Sequence, residues 1–329
     1  MSRLAFVFRT DVHAADKGPE SWKGDYAEEI FSDLDQIGEI AKTHDAAAVL
    51  DGGDFFHVKA PTRNSHGLVA RVARIHQAYP CPVWSIEGNH DIAYNQLDTI
   101  DRQPLGVLFD TGVFRLLREE VFEAGPLRVR VIGVPYVPDR SLDYLRTLKK
   151  KPGDTHLIAI VHALAAKNPP AHVEDFFGEP VFRYSDLVFD NGPDIWCFGH
   201  WHRDQGIETI GDRWFVNQGS VSRGALVHEN LERTPKVAVI VVDANGVEVL
   251  PIRLKVAPAA EVFDLERKDR RDQEGEIIER FVKRLEEDAN FDASASVEDS
   301  VRNLGFAHEI RDLGLRYLER VREQRAREK

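Results

Sequence analysis

Cysteine is nearly absent: Cys81 and Cys197 are the two in a chain of 329 residues, which also has one methionine. Two thiols so far apart supply neither a disulfide framework nor a cysteine-built metal site, both of which need closely spaced sets. Both lie in apolar stretches and are expected as buried free thiols in a reducing cytoplasm. Long apolar runs are also missing. No stretch reaches the roughly 18 residues that a membrane span requires, so none is expected. The opening MSRLAFVFRTDVH carries a short apolar run, but Asp11 and His13 follow at once without a small-residue cleavage site. It reads as a first strand rather than an export signal. An excess of positive charge is lacking too, the formal net charge being −12. That speaks against a surface coated with nucleic acid, because nonspecific DNA affinity comes from Lys and Arg neutralising phosphates. A local basic groove is compatible with this total, and carboxylates gathered around cations would inflate it.

What is present is an ordinary globular balance, 43% apolar and 30% charged. Apolar β-rich runs occur at 4–8, 46–50, 82–86, 128–134, 156–161, 194–198, 213–217, 236–243 and 247–254. Between the early ones lie helical patterns. Residues 26–44 place Ile30, Leu34, Ile37 and Ile40 near one face, and 65–79 do the same with Leu68, Val72 and Ile75. Alternating strands and helices predict an α/β layered fold with buried strands. Beyond about residue 205 short turns such as DANG (243–246) predict antiparallel hairpins. From about Lys255 the composition becomes charge-dense and helical, with a narrow stripe of Ile277, Ile278, Phe281, Val282 and Leu285. This divides the chain into a domain at 1–255 and a C-terminal helical region at 256–329, a candidate for partner docking or dimerisation.

Five apolar runs finish on residues able to hold a metal. The first ends in TDVHAAD, giving Asp11 and His13; the second in LDGGDFFH, giving Asp54. The third ends in SIEGNHD, with Asn89, His90 and Asp91. LIAIVHA ends in His162, and DIWCFGHWHRD supplies His200 and His202. In an extended segment positions i and i+2 share a face, which predicts that Asp11 projects with His13 and His200 with His202. Gly199 would allow a sharp turn between strand and histidines. Sites in open α/β sheets assemble at strand carboxyl ends. Asp11, His13, Asp54, Asn89, His162, His200 and His202 are too many donors for one tetrahedral zinc. They suit two ions about 3.5–4 Å apart with one carboxylate bridging. A mixed imidazole and carboxylate set suits Mn²⁺, Fe²⁺ or Zn²⁺, and histidines disfavour Ca²⁺; the donor types do not choose among the three, and Mn²⁺ is the working expectation. Two cations would neutralise an anionic phosphodiester and acidify a water for in-line attack.

The series Asp11-Val12-His13, Gly53-Asp54, Gly88-Asn89-His90-Asp91, His162 and Gly199-His200-Trp201-His202 resembles the calcineurin-like metallophosphoesterase superfamily, with all five blocks in order across roughly residues 3–255. The resemblance implies a four-layer α/β fold, a two-sheet sandwich flanked by helices. It implies that Asp11, His13 and His202 hold one metal, that Asn89, His162 and His200 hold the second, and that Asp54 bridges them. His90 would stabilise the transition state and protonate the leaving oxygen, with Asp91 orienting it.

Within that superfamily GGDFFHVKAPT (52–62) resembles the SbcD-type DNA-repair nucleases, in which a histidine three residues beyond the bridging aspartate helps present the strand end; His57 holds that position. GVPYVPD (133–138, with Asp139) and NQGSVSR (217–223) are further echoes. Arg63, Arg140 and Arg223 are candidate phosphate contacts. The expected activity is a cytoplasmic DNA exo- or endonuclease acting on single strands or duplex ends. The alternatives are hydrolysis of small phosphoesters and a nuclease subunit active only with an SbcC-like coiled-coil ATPase. The short stretch after Lys255 departs from full-length SbcD-type chains, leaving little room for a capping domain, and favours a compact form acting alone or as a homodimer.

Overall fold

The computed structural model describes residues 2–19, 21–224 and 228–266, with side chains omitted at 228–229. Met1–Val262 forms one compact unit. Nearly all of the helical region expected at 256–329, including its apolar stripe, lies outside the described residues.

Two six-stranded sheets make the framework. The first contains β1 (Arg3–Arg9), β2 (Ala48–Asp51), β3 (Val83–Ser85), β4 (Phe114–Leu116), β13 (Lys236–Asp243) and β14 (Gly246–Arg253), in the order β14-β13-β1-β2-β3-β4. The second contains β5 (Glu119–Ala124), β6 (Leu127–Val134), β7 (His156–His162), β10 (Ile195–Gly199), β11 (Gly206–Ile210) and β12 (Arg213–Asn217), ordered β11-β12-β10-β7-β6-β5. A small pair, β8 (Ala165–Ala166) and β9 (Phe182–Arg183), stands apart. The central strands run parallel, which requires crossover connections. Here α1 (Tyr26–Thr43), α2 (His66–Gln77) and α3 (Pro104–Asp110) provide them for the first sheet. Asp25 caps α1 by accepting from the Glu28 amide, and Ser65 caps α2 by accepting from Leu68 at 3.0 Å. The late strands do form antiparallel hairpins, β11–β12 and β13–β14. However, β12 also pairs parallel with β10, and β13 crosses back to pair antiparallel with β1.

Strand alternation explains the layering. In β1, Ala5 and Val7 join Ile30, Leu34, Ile37, Leu68 and Val72 in the core beneath the helices. Leu4, Phe6 and Phe8 point the other way and meet Ile158, Ile160, Ile195 and Cys197 of the second sheet. The outer face of the second sheet buries Trp196, Phe198 and Phe215 against Tyr184 and Leu187, with the short α4 (Leu142–Leu145) above them. The result is the expected two-sheet sandwich flanked by helices, thinner on the second side. Truncating Phe6 or Phe8, each almost wholly buried, would cost about 3–5 kcal/mol. Both cysteines are free, and Cys197 is fully buried. No described helix is long and apolar enough to cross a membrane.

Candidate metal centre

The carboxyl ends of β1, β2, β3, β7 and β10 converge, and the loops that leave them are laced together. Asp11, His13 and Ala14 donate their amides to the carbonyls of Gly53, Asp54 and Phe55 at 3.0, 3.0 and 2.8 Å. Beneath this seam lies a buried ion pair, Arg9 Nε donating to Asp51 Oδ2 at 2.6 Å, with Arg9 set over the Phe55 and Phe114 rings. The other Asp51 oxygen accepts from the Gly53 amide and the Ser85 hydroxyl. The turn that presents Asp54 is therefore fixed from below.

Two groups of side chains could each hold an ion. In one, Asp11, His13, Asp54 and His202 bring one donor atom each to within 4.8 Å of one another; in the other, Asp54, His162 and His200 do so. Donors bound at about 2.0–2.2 Å lie up to about 4.4 Å apart, so little contraction is needed. Asp54 belongs to both groups. Asn89 joins the second through Oδ1, 3.2 Å from His162 Nε2. A third group, His13, His57 and His90, overlaps the first.

The chemistry of the donors fits cations. His162 donates Nδ1–H to the Gly52 carbonyl at 2.7 Å, which turns its Nε2 toward Asn89 Oδ1 and, at 3.5 Å, Asp54 Oδ2. Three acceptors meet there and need positive charge between them. Burial opposes a charged His162 ring, yet the Asp54 charge outweighs it and pushes the ring up to about 9: without a cation, a proton fills the gap. Burial would raise Asp54, but the His162 charge and hydrogen bond hold its carboxyl well below the usual range. Asp11 is likewise held at about 2, burial being outweighed by the hydrogen bond and charge of His202. Burial, reinforced by the His202 charge, keeps His13 far below the ordinary imidazole range, so its ring is neutral. Its Nε2 lies 2.9 Å from His202 Nε2.

The backbone reaches this arrangement differently from the extended strand ends the sequence suggests. Asp11, His13, Asp54 and His200 all have left-handed backbone, with φ of 53°, 50°, 53° and 88°. Such strain in non-glycine residues costs of order 1–3 kcal/mol each and persists where the surroundings impose it. Here the His200 amide donates to both Asp11 carboxylate oxygens at 3.1 Å, and the His90 amide to Asp54 Oδ1 at 2.7 Å. Asp11 and His13 stay in one group, but His200 and His202 separate into different ones. Gly199 is needed for close approach rather than for a turn: an added Cβ would lie 2.2 Å from Thr10 Oγ1 and 2.6 Å from the Gly52 carbonyl. At Gly88 the Cβ would lie 2.1 Å from Asp54 Oδ1.

The remaining expected residues divide. His90 donates Nδ1–H to the His57 carbonyl at 2.6 Å, and the two rings stack with centroids 5.3 Å apart. Asp91 does not orient that ring. It is buried and accepts from the amides of Phe55, Phe56 and Gly88, bracing the Asp54 and Asn89 loops. Burial first, then the Asp54 charge, raises its carboxyl well above the usual range. Arg63 is exposed and lines a cleft of about 740 Å³ with His57, Lys17 and Tyr26. Arg223 is buried and paired with Glu29 at 2.5 Å, against Trp22. Arg140 donates to the Pro135 carbonyl and covers Tyr144. Neither Arg140 nor Arg223 is thus presented as a phosphate contact. The NQGSVSR segment instead buttresses the ligand loops, Ser220 and Val221 donating to the His202 and Thr10 carbonyls. Glu179 lies outside every expected set, yet it sits 3.1 Å from His200 Nε2 and accepts from the Tyr136 hydroxyl at 2.6 Å. Burial would raise it, but these two hydrogen bonds keep it below the usual range. Its loop carries no spacing signal that could have revealed it.

Comparison with known proteins supplies the wider setting. A putative 5′-nucleotidase from Staphylococcus aureus, solved with alpha-ketoglutarate, superposes with a TM-score of 0.51 at 19% identity, covering 78% of this chain and 55% of that one. This chain therefore spans about half the length of that protein. An archaeal phosphodiesterase gives 0.37 at 12% identity, covering 76% and 100%, and the Thermus thermophilus sulfate thiohydrolase SoxB gives 0.41 at 12%, covering 76% and 56%. None of the curated protein sequences compared with the chain matches it. Residues 4–204 match the family model described as calcineurin-like phosphoesterase, and they carry every residue of the two donor groups. The chain belongs to the calcineurin-like phosphoesterases.

Proposed function

We propose that this protein is a two-metal phosphodiesterase acting on DNA, a nuclease of the SbcD-like type. Asp11, His13 and His202 would hold one ion, Asn89, His162 and His200 the other, and Asp54 both. The bound pair would supply charge neutralisation at the phosphate and an acidified water. The protein's own task is then to position the diester and to move one proton. His90 suits the second part. Its Nδ1–H is tied to the His57 carbonyl, leaving Nε2 to protonate the departing oxygen, worth typically 10²–10⁴-fold.

The observation that carries the DNA reading is His57. It stacks on His90, approaches His13 Nδ1 at 3.3 Å, and lines the cleft that also holds Lys17 and Arg63. A strand end entering that cleft would meet Lys17 and Arg63 against the single carboxylate of Asp16, a locally positive lining on an acidic protein. The net charge of −12 supports a second reading, in which the same site turns over small phosphoesters.

End-labelled single- and double-stranded DNA with Mn²⁺, run beside bis-p-nitrophenyl phosphate and cyclic nucleotides, separates the two. Cleavage of DNA is expected; turnover of the small esters alone would replace the first reading by the second. His90→Asn should bind Mn²⁺ normally and lose turnover by about 10²–10⁴-fold; full activity would remove His90 from the chemistry. Docking of residues 256–329 on a coiled-coil ATPase, or homodimerisation, belongs to the same proposal and is read by light scattering with and without that partner.

A further inference from the structure

The two donor groups differ in what stands behind them. The His162 ring is fixed by the Gly52 carbonyl, a backbone acceptor that no substitution removes. The His200 ring has a side chain in that role. Its Nε2 lies 3.1 Å from Glu179 Oε2, and the opposite carboxylate oxygen accepts from Tyr136 at 2.6 Å. Glu179 is not among the donors that converge on Asp54. It follows β8 and α5 (His172–Phe177) on the excursion that returns through β9. Tyr136, itself buried, lies after β6 in the GVPYVPD segment. Tyr136 and Phe177 flank the His200 ring, with centroids 5.4 and 6.3 Å away.

We infer that Glu179, held by Tyr136, is a positioning residue that fixes the His200 tautomer and ring orientation so that Nδ1 faces the ion of the second group. A carboxylate accepting at Nε2 places the imidazole proton there and leaves the Nδ1 lone pair for the Asp54–His162 side. Ligand histidines commonly donate their second nitrogen to such an acceptor, and losing it typically weakens metal binding 10–100-fold. The left-handed backbone of His200 (φ 88°) sharpens the need, since a strained residue keeps its orientation through what surrounds it. Glu179 and Tyr136 come from segments outside the five motif blocks, so the second ion's affinity is set by parts of the chain that the motifs do not include.

This inference rests on the two-metal reading, and calorimetric titration of metal-free full-length protein with Mn²⁺ tests each separately. Wild type should take up two ions; uptake of fewer would overturn the two-metal reading itself. If it takes up two, Glu179→Ala should keep one site at wild-type affinity and weaken the other about 10–100-fold. Glu179→Gln, whose amide oxygen can still accept, should recover part of the loss. Tyr136→Phe should weaken the same site by less, and it provides the test should Glu179→Ala fail to fold. Identical isotherms for wild type and variants would overturn the inference, as would equal weakening of both sites, which is the mark of a general structural role.

Discussion

Asp11, His13 and His202 meet with the His202 ring half exposed and two imidazole nitrogens nose to nose, whereas Asp54, His162 and His200 are almost wholly enclosed and each ring has an outer acceptor behind it. The first group is shaped by backbone. Amides and the Thr10 hydroxyl hold Asp11, and the strand-end loops zip together around it. In the second, each ring has an acceptor behind it, the Gly52 carbonyl for His162 and the Glu179 carboxylate for His200. The two groups thus differ in what holds their rings: both rings of the second rest on an acceptor outside the group, while His13 and His202 of the first face each other.

The most severe way to break the contrast is to remove the residue common to both. Asp54→Ala should abolish uptake of both ions in a Mn²⁺ titration and cut turnover of bis-p-nitrophenyl phosphate by about 10³-fold or more; loss of a single site would show that Asp54 is not shared. Next comes the support below it. Arg9→Met leaves Asp51 buried and unpaired, which should cost about 3–5 kcal/mol in a denaturant melt. A smaller effect concerns pH. Folded His162 holds a proton up to about 9 that an unfolded histidine releases near 6.5. Its stabilisation is complete below pH 6.5 and is lost as pH rises through 9, about 3 kcal/mol in the metal-free protein. Melting curves at pH 6 and 9.5 should show this fall, and Mn²⁺, by replacing the proton, should remove it. The least effect is expected at the exposed edge of the first group. His202→Ala removes the half-exposed partner of the buried Asp11 carboxylate, which should lower metal-free stability by about 1–3 kcal/mol while weakening uptake of the first ion.

Much of this was legible in the sequence because the core strands are continuous apolar runs and because each ligand terminates one of them. LAFVF, HLIAIV and DIWCF announce both a buried strand and the residue that follows it. The edge strands of the second sheet were not legible. EEVFEA (β5) and GIETI (β11) are half-exposed and charged, so their pairing depends on neighbours rather than on their own pattern. The left-handed geometry of Asp11, His13, Asp54 and His200 is imposed by contacts between loops distant in the chain, and no local propensity encodes it. Arg223 reads as a phosphate contact until its burial against Trp22 and Glu29 is seen, and Glu179 carries no motif. Asp91 lies beside His90 in sequence, yet its carboxylate is spent on backbone amides.

The return of β13 to β1 has a consequence for anyone trimming this protein. The match to the family model stops at residue 204, but the partner of the strand that delivers Asp11 comes from residues 236–243, matched along Arg3 to Phe8. A fragment ended at 204 would expose the bare flank of β1 and, lacking β12, that of β10 as well. Two unpaired apolar edges invite aggregation. The smallest piece able to fold therefore extends through the closing hairpin, well past the last histidine.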